Sequence, residues 1–175
     1  MTQFSLDKFP PEVVDEWLST YVKSEGWPPA IGADGIPIDR WRYLLSRRPL
    51  AWWFEGSWEK YTSHISIHDL TESNKETLTK MALAFLTGEI NEYSAEISDL
   101  KSRISSVIEY IKKHKTIPGT PILFLENGKY AISDGNHRLC AYYICYGYFN
   151  IPTPKDFELL PNKDFNYWVY RNKAS

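Results

Sequence analysis

The chain has 175 residues, of which 43% are hydrophobic and 24% charged, a length and composition that suit one domain with a buried core and exclude a disordered or membrane-embedded chain. Its 20 basic and 22 acidic residues give a net charge of -2, so there is no overall electrostatic attraction to nucleic acid. Contact with DNA or RNA would need a local basic patch.

The first third of the chain predicts one clear helix and an aromatic, irregular region. Apolar residues between Pro11 and Gly26 recur at helical spacing, with proline at the start and glycine at the end. A short second helix is predicted in "IDRWRYLLSRR", stopped by Pro49. A strand is predicted in "YTSHISIHDL", running to about Ile67.

Helices and a β-hairpin are predicted in the remainder. "KETLTKMALAFLTG" has an apolar stripe and a final glycine, and a stripe from Tyr93 predicts one long helix, or two in close succession, ending near His114. "TPILFLENGKYAIS" is two apolar strands around Asn127-Gly128, the dipeptide that best fits a type I′ turn. A helix over residues 137–147 follows, and "FELL" and "NYWVY" are further candidate strands.

The junction between the hairpin and the next helix consists of Asp134, Gly135, Asn136, His137 and Arg138. A helix N-terminus attracts anions, glycine lets a phosphate approach, and His137 and Arg138 add donors. The negative charge of Asp134 repels an anion unless a cation lies between the two. In a functional site, Asp134 would therefore be a magnesium ligand or a proton acceptor. The structural alternative stays open: Asp134 caps the helix, Gly135 permits the turn, and the basic residues form a solvated first turn.

With the hairpin before it, Gly135-Asn136-His137-Arg138 resembles the Gly-x-[His/Arg]-Arg phosphate-binding helix start of the ParB/sulfiredoxin-like superfamily. The resemblance covers about residues 60–160 and does not reach the first 55. It implies an α+β fold with a small mixed sheet and flanking helices. Residues 56–175 would form that domain, and residues 1–55 a helical N-terminal extension that does not fold independently.

The resemblance also implies nucleotide binding, with ATP, ADP or CTP together with Mg²⁺. Gly135, Asn136, His137 and Arg138 would bind the phosphates. Asp134 and His137 would be catalytic, with Asp134 also the metal ligand. The reaction would be metal-assisted phosphoryl transfer, or phosphodiester or nucleotide hydrolysis, of the ATPase, kinase or nuclease type. Asn136 replaces the sulfiredoxin cysteine and no helix-turn-helix module is recognisable after the motif, so sulfinic-acid reduction and chromosome partitioning are not expected.

A non-catalytic role is the alternative: a regulator or inhibitor that docks on a protein partner through an aromatic-rich surface. Aromatic residues make up 15% of the chain, although such residues more often fill a core. The surface would be supplied by the tryptophans of the N-terminal third, Trp27, Trp41, Trp52, Trp53 and Trp58.

Cys140 and Cys145 lie in one predicted helix at a spacing that suits a disulfide poorly. They are predicted to be free thiols, which are typical of a reducing cytoplasm. No apolar run approaches the roughly 20 residues that a membrane span needs, and the first residues lack the layout of a signal peptide. A cytoplasmic location without membrane contact is therefore expected.

Overall fold

The structure, a computed structural model, describes residues 5–94, 97–147, 149 and 163–174, and the side chains of residues 97 and 98 are outside that description. Helix α1 covers residues 11–25 and includes a π-helical stretch at Val14–Leu18. The other helices and the strands are, in chain order, α2 Asp39–Leu44, β1 Gly56–Ser63, α3 Glu72–Thr87, α4 Ile97–His114, β2 Ile122–Glu126, β3 Lys129–Asp134, α5 Asn136–Cys145 and β4 Phe165–Asn172. Short 3₁₀ turns lie at Leu6–Lys8, Leu50–Phe54 and Ile67–Asp69.

The four strands form one mixed sheet in the order β1-β4-β2-β3. Strand β4 pairs antiparallel with β1 and parallel with β2, and the β2–β3 hairpin is antiparallel. The chain is therefore an α+β protein, as predicted. Because β3 is an edge strand, its last residue and the start of α5 lie at the border of the sheet.

The sheet has a hydrophobic core on each face, because alternate residues of a strand point to opposite sides. Leu123 and Val169 pack into the core that contains α3, α4 and α5. Phe124 and Tyr170 pack on the other face, against an aromatic layer built by residues 6–58. The tryptophans of this layer are all buried or partly buried: Trp17, Trp27, Trp41, Trp52, Trp53 and Trp58.

The helices and the hairpin lie where the sequence predicts them, except that α2 ends at Leu44 rather than at Pro49, because Ser46 and Arg47 have positive φ. Helix α3 ends at Gly88, which adopts the left-handed conformation of a C-terminal cap. The hairpin turn has positive φ at both Asn127 (51°) and Gly128 (77°), as a type I′ turn requires. The "NYWVY" strand is part of β4, whereas "FELL" lies outside the described residues.

The predicted strand running to Ile67 is wrong in its limits. Strand β1 begins at Gly56 and ends at Ser63, where its partner β4 begins with Phe165. Gly56 is the first residue of the strand and pairs with Asn172, and a side chain at this position would collide with the backbone of Arg171. Residues 64–66 leave the sheet, and Ile67 begins a 3₁₀ turn.

Candidate functional site

The strand-to-helix junction is built around Gly135, which lies between the end of β3 and the start of α5. Its φ of 116° and ψ of 20° are rare for any other residue. A Cβ atom at this position would also lie 3.0 Å from the Cβ of Pro121. Gly135 is the N-cap residue and no side chain caps the helix, so Asp134 does not have the capping role that the structural alternative gave it.

Asp134 instead forms a partly buried ion pair with Arg138, one helical turn further on. Its Oδ2 lies 2.9 Å from Nη2 of Arg138, and the two side chains are only 24% and 21% exposed. Nη1 of Arg138 also donates to the carbonyl of Pro118 at 3.2 Å. The guanidinium is thus already held by an acid and a carbonyl before any ligand binds.

Tyr21 of α1 reaches the same carboxylate from the aromatic layer. Its hydroxyl donates to Oδ1 of Asp134 in a long hydrogen bond of 3.4 Å. Burial, and after it the negative charge of Asp134, raise the pKa of Tyr21, which therefore stays a neutral donor at physiological pH. Both carboxylate oxygens of Asp134 consequently have donors.

The aromatic layer is attached to the edge strand beside this site. The hydroxyl of Ser133 donates to the carbonyl of Leu44 at 3.0 Å, and Ser46 donates to the Ser133 hydroxyl at 2.8 Å. These bonds hold the end of α2 against β3. They bring Arg40 and Tyr43 of α2 to the junction.

A cleft of about 860 Å³ opens in front of the junction. Ligand sites in proteins commonly occupy about 300–1,000 Å³, so the cleft is large enough for a nucleotide-sized molecule. It is lined from the aromatic layer by Tyr21, Arg40, Tyr43 and Leu44, from α4 by Ser102, Arg103, Ser106 and Val107, and from the junction side by Pro118, Gly119 and residues 133–138.

The lining of the cleft is positively charged. Its charged members are Arg40, Arg103, Arg138 and Asp134, a net charge of +2 with His137 neutral, in a chain whose overall charge is -2. A concave surface with an excess of one sign of charge concentrates the field and attracts counter-ions. The cleft is therefore suited to an anionic ligand.

In the part of the chain that the structure describes, Arg40 and Arg103 make weak contacts with partners near the surface. Arg40 lies over the ring of Tyr21 at 5.2 Å and its Nη1 is 3.3 Å from Oε1 of Glu25. Arg103 has its Nε 3.5 Å from Oδ2 of Asp99, and both arginine side chains are more than half exposed. Exposed ion pairs of this kind contribute at most about 1 kcal/mol, so both guanidinium groups can turn towards a ligand.

Asn136 contributes a polar atom that lacks a partner. Its Oδ1 is buried and accepts no hydrogen bond from the part of the chain that the structure describes. Nearly all buried polar groups in proteins are paired, so an orphaned one at the edge of a cleft indicates a place for a ligand group or a water molecule.

Asp134 does not have the surroundings of a metal ligand. Mg²⁺ prefers six oxygen ligands in octahedral geometry, and both oxygens of this carboxylate are already bonded to donors. Within residues 5–94, 97–147, 149 and 163–174, no three His, Cys, Asp or Glu side chains cluster as a metal site. The described residues therefore do not fit a protein-held magnesium ion.

The two cysteines are free and buried in α5, as predicted. Burial raises the pKa of Cys145 to about 11 and also raises that of Cys140. Neither residue lines the cleft, and a protonated, buried thiol is a poor nucleophile, so the structure offers no support for thiol chemistry.

All five junction residues predicted from the sequence line the cleft together, including His137. Sequence reasoning missed the other polar contributors: Tyr21, Arg40, Tyr43, Ser102, Arg103, Ser106 and Ser133. In the sequence, Tyr21 has the spacing of the apolar stripe of α1, and the polar residues of α4 have the spacing of a solvated helix face. Helical spacing does not predict the Asp134–Arg138 pair, because Asp134 is the last residue of β3 and the helix begins only after Gly135.

No family model, curated protein or solved structure matches this chain. The resemblance to the ParB/sulfiredoxin-like superfamily therefore has only the quoted residues as its basis. Among the described helices, none has the length and apolar character that a bilayer crossing demands.

Proposed function

We propose that the cleft binds the phosphate groups of a nucleotide such as ATP, ADP or CTP, on a domain of the ParB/sulfiredoxin-like type, and that the chain transfers or hydrolyses a phosphoryl group. The observation that carries the proposal is the net charge of +2 on a cleft of about 860 Å³ in front of a glycine-led helix start. The N–H groups of the first turn of α5 have no carbonyl partner within the helix, which makes them donors for phosphate oxygens.

Binding exchanges one anionic partner of Arg138 for another. A phosphate at the start of α5 competes with Asp134 for the guanidinium, which can fork onto two phosphate oxygens. His137 and the amide N–H₂ group of Asn136 complete the phosphate contacts, whereas Oδ1 of Asn136 is an acceptor and takes a water molecule or a hydroxyl group of the ligand. The exchange leaves the Asp134 carboxylate without its strongest donor.

The released carboxylate is the proton acceptor of the proposed reaction. The oxygen of a hydroxyl group or water forms a bond to the terminal phosphorus while its proton passes to Asp134. The bond between that phosphorus and the bridging oxygen breaks, and the nucleoside diphosphate leaves with the electron pair. His137 holds the phosphoryl oxygens, and no step depends on a metal ion, because the residues that the structure describes do not form a set of ligands for one.

The regulator hypothesis has less support. The five tryptophans on which it depends are buried or partly buried in the aromatic layer, and none is exposed. Their rings pack on one another and on the sheet, as Trp53 does with Phe124 at 5.9 Å. These residues stabilise the fold rather than forming a surface for a partner.

The test is calorimetric titration with ATP, ADP and CTP, combined with an assay of phosphate release. Arg138→Gln removes charge-assisted bonds worth about 1.5–3 kcal/mol, so nucleotide affinity should fall by at least about tenfold. Arg42→Gln is the matched control, because Arg42 pairs with Asp34 and does not line the cleft. Circular dichroism checks the fold of both variants. Absence of binding by the wild type at millimolar nucleotide would contradict the proposal.

A further inference from the structure

The three arginines of the cleft belong to three helices in two layers. Arg138 lies at the start of α5, Arg40 comes from α2 in the aromatic layer, and Arg103 comes from α4 on the opposite face of the sheet. Since the sheet separates the two layers, Arg40 and Arg103 approach the cleft from its two sides.

The positive charges that no acidic residue of the lining itself matches belong to Arg40 and Arg103. Arg138 is matched by Asp134, the acidic member of the lining. The acidic partners of the other two arginines, Glu25 and Asp99, do not line the cleft. A single phosphate bound at the start of α5 would leave this excess charge unused.

The cleft is also too large for one phosphate group. A water molecule occupies about 30 Å³ in the liquid. The cleft, at about 860 Å³, therefore has room for an anion many times larger than a water molecule. Further donors flank Arg103: Ser102 and Ser106, one helical turn apart, also line the cleft. Guanidinium and hydroxyl groups along one wall are a donor set for a chain of phosphates.

From these observations we infer that the site selects ligands with two or more linked phosphate groups, and that Arg40 and Arg103 bind the groups that Arg138 does not hold. The inference rests on the proposed function and adds to it the residues that bind the second and third phosphate groups. It assigns a binding role to two residues outside the junction motif: Arg40, which lies in the first 55 residues, and Arg103, which lies in α4.

The experiment compares inorganic phosphate, pyrophosphate and tripolyphosphate as probes, titrated calorimetrically at constant ionic strength. Wild-type affinity should rise by at least about tenfold with each added phosphate group, the equivalent of one charge-assisted bond. Arg40→Gln and Arg103→Gln should each weaken tripolyphosphate binding by about tenfold and leave phosphate binding within about twofold. Both residues are more than half exposed, so folding should be preserved.

Arg42→Gln, on the same helix as Arg40 but outside the cleft, should change none of the three affinities. Equal affinities for phosphate and tripolyphosphate would overturn the inference, as would equal losses for all three probes in the Arg40 and Arg103 variants. Either result would leave the proposed phosphate site standing. Failure of every probe and every nucleotide to bind would overturn the proposed function as well.

Discussion

Asp134 has opposite effects on the two steps of the proposed function: it weakens the binding of phosphate and it promotes the reaction. Its carboxylate holds Arg138 in the unliganded site, so it opposes the binding of phosphate. In the proposed reaction the same carboxylate accepts a proton. One substitution can therefore separate the two roles.

Asp134→Asn should raise nucleotide affinity and lower turnover. Asparagine keeps the shape of the side chain but removes the negative charge that competes for Arg138. Loss of a general base typically lowers the rate by about 10²–10⁴-fold. Calorimetry and phosphate release measure the two effects, with Asp34→Asn, an exposed aspartate outside the cleft, as the control.

A variant that binds nucleotide more weakly than wild type would show that Asp134 does not compete for Arg138. A variant that turns over at the wild-type rate would remove Asp134 from the catalytic role.

The environment of the His64 side chain predicts that the stability of the fold depends on pH. Its Nδ1 lies 2.6 Å from the hydroxyl of Tyr142, whose proton goes to the carbonyl of Lys163, so Nδ1 is the donor in the neutral ring. Burial, and then the positive charge of Lys163, lower the pKa of His64 below its ordinary value of 6.5, although Asp69 and Asp164 act in the opposite direction. The unfolded chain therefore binds more protons at this residue than the folded chain.

The free energy of unfolding should accordingly be highest above pH 6.5 and fall as the pH decreases from 6.5 through the lower folded pKa. In urea titrations between pH 7.5 and pH 5.5, where histidine is the main titrating side chain, His64→Gln should flatten this dependence. His68→Gln changes an exposed histidine and is the control. An equally steep dependence in the His64 variant would contradict the assignment.

At the scale of elements, the β2–β3 hairpin and α5 form one unit with a glycine at each change of direction. Gly128 has a φ of 77° and open space where a side chain would be. Gly135 has a φ of 116° and the ring of Pro121 against it. The turn needs glycine for its dihedral angles alone, whereas the junction needs it for dihedral angles and for space.

Substitution by alanine should lower the free energy of unfolding by a different amount at each of the two positions. Gly128→Ala should lower the free energy of unfolding by about 1–2 kcal/mol, the cost of a left-handed conformation with a Cβ atom. Gly135→Ala should cost more, because Pro121 or the start of α5 must also move. Urea denaturation measures both, and equal losses would indicate that the junction tolerates the extra atom. Gly128→Asn should restore part of the loss, since asparagine tolerates this conformation.

At the scale of the whole molecule, each face of the sheet is buried by a different layer: α3, α4 and α5 on one face and the aromatic layer on the other. Each layer is needed to keep its face of the sheet buried. Ile122, Phe124, Ala131, Trp168 and Tyr170 are buried against the aromatic layer. Removing that layer would expose a continuous apolar face on a central part of the sheet. Exposed patches of this kind promote association.

A chain that begins at residue 56 should therefore not fold into a stable monomer. Removal of residues 1–55 uncovers the apolar face and also deletes Tyr21, Arg40 and Tyr43 from the cleft. We expect loss of the cooperative thermal transition, binding of a hydrophobic dye, and aggregates in size-exclusion chromatography. A monomer with a sharp transition would instead establish residues 56–175 as a domain that folds alone.

The sequence by itself determined the features that depend on neighbouring residues. The stripes of α3 and α4 predict helices from their spacing, Asn127-Gly128 predicts its turn from the dihedral angles that these residues tolerate, and Gly135 marks the junction for the same reason. The junction motif likewise identified five residues of the cleft, because they are consecutive.

The tertiary structure alone decided what depends on residues distant in the chain. Gly56 begins β1 because it pairs with Asn172 of β4, and no local pattern contains that contact. Tyr21 meets Asp134 across 113 residues, and Arg40 and Arg103 meet at the cleft only because both layers pack on the same sheet. Periodicity and turn chemistry act over a few residues, whereas the charge of the cleft arises from side chains that only long-range packing brings together.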